Sequence, residues 1–279
     1  VSAPLPYVRH GPEMPASPVV LSVPHAGRDY SPALRAALRV DPGLLIALED
    51  RHADTLALAA RGIETLFVAT RPRAWIDLNR AEQERDPIID EGAMRLPESA
   101  QSLKLRSGLG LVPRRVETSD LWRRRFSDAE IGDRIALDHR PYHAALAAAL
   151  AAARARFGVA VLLDIHSMPP LGPNAARLVL GDRFGRASAG RFVSRIEGVA
   201  QAARIRCAVN SPYAGGHILE RHAAPAAAIH AIQLEFDRSL YLDRRREEPG
   251  PGLEPTAALL RAIIDAVADE ALPLAAAAQ

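Results

Sequence analysis

Short, nearly uninterrupted apolar runs set the main constraint on this chain. They are VVLSV (19–23), TLFVA (65–69), VAVLLDI (159–165), ARLVLG (176–181) and AIHAIQLEF (228–236). Little in them alternates apolar with polar, so they read as strands covered on both faces. Between them lie helical stretches. SPALRAAL (31–38) opens on Ser-Pro, a good helix start, and DPGLLIALEDRHADTLALAARG (41–62) carries apolar residues at helical spacing up to Gly62. PYHAALAAALAAARARFG (141–158), GRASAGRFVSRIEGVAQAARI (185–205) and TAALLRAIIDAVADEAL (256–272) are further helices. Strand and helix in alternation predict an α/β fold on a mixed, mostly parallel central sheet flanked by helices. A chain of 279 residues can bury such a core as one domain, and we read 1–279 as a single domain. The segment from Arg80 to Asp120 lacks periodicity and reads as a long surface excursion. The closing LAAAAQ reads as a frayed end.

Composition excludes several roles. A formal charge of +2 with scattered arginines gives no basic face for nucleic acid or membrane. No apolar run approaches membrane-span length, and the opening residues lack a signal-peptide layout, which points to a cytoplasmic protein. Cys207 is the single cysteine, which excludes an internal disulfide and fits a buried structural thiol.

In open α/β sheets ligands bind beyond the carboxyl ends of the strands. There stand His25 after VVLSVP, Asp164 and His166 at the end of VAVLLDIH, Asn210 and Ser211 with the glycine loop YAGGH beyond, and Glu235 and Asp237 in AIQLEFD. Two histidines and a carboxylate are the donor set of a catalytic zinc site with one open position. On the spacing of EDRHADTLA, Glu49, Asp50 and Asp54 all remain candidates for the acidic ligand, Asp50 and Asp54 sharing a helical face. Asp164 either caps local backbone or orients His166. Glu235 sits in an apolar strand, where an unpaired carboxylate is costly, so it is paired, protonated or catalytic. His143 reads as a structural or supporting side chain. His10, His222 and His230 read as structural, and His139 as exposed.

Several segments together resemble the N-formylglutamate amidohydrolase family: SVPHAGRDYSP (22–32), EDRHADTLA (49–57), ATRPRAWIDLNRAE (69–82), RPYHAAL (140–146), LLDIHSMPP (162–170), NSPYAGGHI (210–218) and AIQLEFDRSLYLD (231–243), in the family's order. The resemblance implies a three-layer zinc-peptidase-like fold and metal-dependent hydrolysis of an N-acyl amino acid, N-formyl-L-glutamate to formate and L-glutamate in histidine degradation. It implies one divalent metal, Zn²⁺, held by His25, His166 and Asp50. Asp50 is taken as the third ligand for its place at the head of the family-like D-x-H-x-[DE] pattern, met here as Asp50-Arg51-His52-Ala53-Asp54; the pattern alone leaves Glu49 and Asp54 as competitors, and the family often has an aromatic residue where Arg51 stands. By analogy with zinc N-acetylmuramoyl amidases, Glu235 is the general base, with His217 assisting at the oxyanion. Arg80 and Asn79 are the substrate's carboxylate anchors, and Gly215 and Gly216 let backbone amides approach it. The alternatives are an amidase for another N-acyl amino acid or peptide-like amide, and a non-catalytic metal or carboxylate binder.

Overall fold

The computed structural model describes residues 5–95, 97, 99 and 101–277. The expected frayed end therefore lies partly outside the described residues, at 278 and 279. The chain divides into two compact units, each drawn from several segments of the sequence. One comprises Val1–Val8, Pro24–Glu49 and Ala69–Ala144; the other comprises Arg9–Val23, Asp50–Val68 and Ala145–Gln279.

The strands are β1 (Tyr7–His10), β2 (Val19–Val23), β3 (Thr65–Ala69), β4 (Arg115–Val116), β5 (Ser119–Asp120), β6 (Ala160–Met168), β7 (Leu178–Gly181), β8 (Cys207–Val209) and β9 (Ile229–Asp237). The α-helices are α1 (Pro32–Ala37), α2 (Ala53–Ala60), α3 (Leu103–Arg106), α4 (Asp128–Arg134), α5 (Arg140–Phe157), α6 (Gly190–Ala202), α7 (His217–His222) and α8 (Leu253–Ala277). The main sheet runs β1-β3-β2-β6-β9-β7-β8. β2, β3, β6 and β9 pair in parallel, β7 joins β9 antiparallel, and β8 pairs in parallel with β7. The sheet is thus mixed and mostly parallel, and helices flank it. Each predicted run becomes a strand, and β2 and β6 are buried along their whole length. Among helices of this unit, α2 and α8 lie on the sheet and α6 packs on α8. α6 buries Phe192, Val193, Ile196 and Ala200, one face of a 3.6-residue repeat. Each large side chain so buried contributes about 1.5–3 kcal/mol. Among the described residues no helix is long and apolar enough to cross a membrane. Cys207 is half-buried on β8, and burial pushes its thiol up to about 12, so it stays protonated and inert.

Two expectations need correction. The stretch 41–62 is not one helix. A 3₁₀ turn spans Pro42–Leu48, and α2 begins only at Ala53 because His52 adopts a left-handed conformation, φ 56°. Asp50 therefore lies in the break and shares no helical turn with Asp54. Nor is 80–120 a surface excursion. Ile89, Leu111, Val112, Val116, Leu121, Trp122 and Phe126 join Leu34, Leu38, Leu45, Ile131 and Ile135 in one core. Their spacing shows no period because loops and the short β4–β5 hairpin carry them, and tertiary packing alone gathers them. Inside this core the Arg134 guanidinium stacks over Trp75, 3.7 Å from the ring centroid, and donates to Trp75 O at 3.0 Å. Burial lowers its pKa to about 10, so it remains charged at neutral pH.

Candidate active site

In the sheet-bearing unit, three parallel strands lay down a polar patch. Ser22 of β2 stands opposite Asp164 of β6, and Asp164 opposite Gln233 of β9. Two residues further on, His166 stands opposite Glu235. Strand alternation puts this set on one face. His166 is clamped between carboxylates, its Nε2 2.8 Å from Asp164 Oδ2 and its Nδ1 2.9 Å from Asp50 Oδ2. Burial works against charge on the imidazole, but Asp164 and Asp50 outweigh it and raise the His166 pKa well above its usual value. Both carboxylates are braced. Ser22 Oγ donates to Asp164 Oδ1 at 2.7 Å, Ser167 Oγ to Asp50 Oδ1 at 3.3 Å, and Arg238 NH2 lies 3.6 Å from the same Asp50 oxygen. Asp50 thus turns Oδ2 toward His166 and commits Oδ1 to Ser167 and Arg238. Asp164 orients His166, the arrangement of a carboxylate behind a ligating imidazole.

The loop before α7 covers the neighbouring part of the sheet. A Cβ on Gly181 of β7 would lie 2.6 Å from Ala214 C and Gly215 N, so the loop backbone rests directly on this strand. Gly215 has φ +101°, which disfavours any side chain there. Gly216 differs from expectation: its N–H donates to Gln233 Oε1 at 3.2 Å and is not an open donor for a substrate. His217 follows as the first residue of α7. Asn210 closes the β7–β8 end by exchanging hydrogen bonds with Asp182, at 2.7 and 3.0 Å.

The other unit carries His25, 2% exposed. Its Nε2 meets Asp77 Oδ1 at 2.7 Å. Burial alone would push the Asp77 pKa up, but Arg73, His25 and Arg80 together hold it well below the usual carboxylate range. Asp77 therefore orients the His25 ring through Nε2. Arg73 Nε donates to Asp77 Oδ2 at 2.8 Å. Arg80 is buried, with Nε on Leu109 O at 2.9 Å and NH1 on Asn79 O at 2.6 Å, and the Asn79 N–H donates to Asp77 Oδ1 at 2.8 Å. His139 is fully buried, contrary to expectation, because its Nε2 serves Arg80 O at 2.9 Å; His143 serves Leu78 O at 3.0 Å. These two imidazoles clamp the Leu78–Arg80 turn. Gly27 packs on backbone: a Cβ there would lie 2.1 Å from Arg71 O. Among the acidic alternatives, Glu49 accepts the Tyr30 hydroxyl, and Asp54 lies in the first turn of α2.

The family model for N-formylglutamate amidohydrolase matches residues 17–242. The chain belongs to the N-formylglutamate amidohydrolase family. Within the family, an N-formylglutamate deformylase of Pseudomonas putida is 29% identical over 266 residues, covering 90% of this chain and 92% of that protein. An N-formylglutamate deformylase of Pseudomonas aeruginosa is 30% identical over 237 residues, covering 82% and 83%. A crystal structure of N-formylglutamate amidohydrolase from Ralstonia eutropha JMP134 superposes with TM-score 0.83 at 32% identity, covering 95% of this chain and 97% of that one. Every site residue named above falls inside the family match, and the whole of α8 lies beyond it.

The structure places Asp50, His166, Glu235, Gly215, Gly216 and His217 in the sheet-bearing unit, and His25, Asn79 and Arg80 in the other. His25, Asp50 and His166 are buried, and each offers an atom of the kind that can hold a metal. Sequence reasoning missed Asp77, Ser167, Arg238 and Gln233. Gln233 had a usable signal: it is polar, sits in an apolar strand, and lies two residues from Glu235 and so on its face. Asp77 had only its position after the apolar run AWI.

Proposed function

We propose that this chain hydrolyses the amide of N-formyl-L-glutamate, releasing formate and L-glutamate, as a single catalytic unit with one bound divalent metal. The observation that carries the reading is His166, gripped by Asp164 and aimed at Asp50, with Glu235 opposite it in strand register. The names of the relatives, N-formylglutamate deformylase and N-formylglutamate amidohydrolase, supply the substrate. The purified protein is expected to release formate and glutamate one to one from N-formyl-L-glutamate. Faster turnover of N-acetyl-L-glutamate or a peptide amide would reassign the substrate, and tight binding without turnover would make the chain a binder.

His25, Asp50 and His166 are the proposed ligands, and zinc the proposed ion. The donor set fits: two buried imidazoles, each held by a carboxylate on one ring nitrogen, and one carboxylate with a single oxygen turned toward His166. β2 and β6 run parallel, and His25 follows the last residue of β2 by two positions. Such an ion would act as a Lewis acid and lower the pKa of water toward about 7. The chain's own groups do the rest. Glu235, oriented by the Gln233 hydrogen bond to its Oε1, accepts the proton of the attacking water and then returns that proton to the departing nitrogen. His217 supports the developing oxyanion. Arg80 and Asn79 anchor a substrate carboxylate; with Nε and NH1 on backbone carbonyls, Arg80 meets it through NH2. Gly215 leaves space for the substrate's approach.

Asp164→Asn removes the carboxylate behind His166. It is expected to weaken ion affinity about 10- to 100-fold, read by competition with a chromophoric chelator. Unchanged affinity would remove Asp164 from this role.

A further inference from the structure

Gln233 is 5% exposed and stands between two parts of the site that the proposed mechanism treats as separate. Its Oε1 accepts the Gly216 N–H at 3.2 Å, and its Nε2 donates to Glu235 Oε1 at 2.8 Å. The orientation of the amide is fixed by chemistry. A backbone N–H can only donate and a carboxylate can only accept, so the reversed amide would face both partners with the wrong group. The loop it holds has little freedom of its own, since Gly181, opposite Gln233 on β7, leaves room for the Ala214–Gly215 backbone to rest on the strand.

We propose that Gln233 is a positioning residue that locks the glycine loop and the general base into one unit. Its donor holds Oε1 of Glu235 and so fixes the orientation of the carboxylate. Its acceptor holds the Gly216 backbone and so fixes the loop that leads to His217. The inference rests on the amidase reading.

Two variants separate the two bonds. Gln233→Met is close in shape and makes neither. Gln233→Glu keeps an acceptor for Gly216 but sets a carboxylate against Glu235. Gln233→Met is expected to lower kcat by about 10- to 100-fold, the scale of a misplaced reacting group, to raise KM, and to speed hydrogen exchange of the Gly216 amide. Gln233→Glu is expected to lower kcat at least about 10-fold while KM stays within about 2-fold and Gly216 stays protected. A purely structural role would lower the thermal midpoint of either variant and leave kcat of the folded enzyme unchanged. That result overturns the inference, as does unaltered Gly216 exchange in Gln233→Met. If Gln233→Met does not fold, the kcat and KM of Gln233→Glu decide alone. A wild type that turns over with equally active variants overturns this inference only; a wild type that releases no formate overturns the amidase reading and this inference with it.

Discussion

Glu235→Gln is expected to slow formate release about 10³-fold while leaving the bound ion in place. The substitution is nearly isosteric, and at 7% exposure the site is closed enough that a change of shape would be felt. Gln233 fixes which end of the new amide faces where. Its Nε2 donor, now 2.8 Å from Glu235 Oε1, selects the carbonyl oxygen of the new side chain as partner. The new side chain carries no carboxylate, and an amide has neither the charge nor the basicity to take the water's proton. A loss of 10³ corresponds to about 4 kcal/mol of barrier, the middle of what one general base contributes. Glu235 is not among the proposed ligands, so metal analysis of the purified variant should match wild type. Turnover within about threefold of wild type would take Glu235 out of the mechanism. Loss of the ion would instead show that Glu235 supports the ligand set.

The strands were legible because burial on both faces leaves a mark that needs no partner to be read: VVLSV and AVLLDIHSM are buried along their whole length, and His166 stands inside the second, two residues before its end. Asp50 shows the limit of periodicity. Apolar residues at 45, 48, 53 and 56 look like one helical face, yet the left-handed turn at His52 divides them, and it is this break that frees Asp50 to reach His166. The core around Trp122 and Phe126 was illegible for a related reason: no local repeat encodes which loop residues meet. The carboxylates behind the imidazoles fall in between. Asp164 lies two residues from His166 on the same strand face and could be suspected. Asp77 reaches His25 across 52 residues of chain, and nothing local announces the pairing.

Stripping the metal is expected to abolish formate release, and adding back Zn²⁺ to restore it, without unfolding the protein in between. The ligand surroundings explain why the fold should survive. Asp164 and Asp50 are buried carboxylates that close on His166 from both sides, and their combined charge favours a positive group between them. With the ion gone, the proton that these carboxylates hold on His166 supplies that charge, so the site keeps a partner for each oxygen where otherwise two bare anions would be buried. The lost activity would therefore report lost chemistry. Lewis-acid assistance is worth several kcal/mol, so the residual rate should fall by about 10³-fold or more. A second readout is independent of turnover. An ion that binds only the folded chain stabilises it by about 4 kcal/mol when present at about 1,000 times its Kd. For a chain of this size that corresponds to a fall in thermal midpoint on the order of 10 °C on chelation. The two readouts separate the possible failures. Full activity in protein shown to be metal-free would exclude the ion from the reaction. Lost activity with an unmoved midpoint would mean that the chelator blocks the site and that His25, Asp50 and His166 hold no ion.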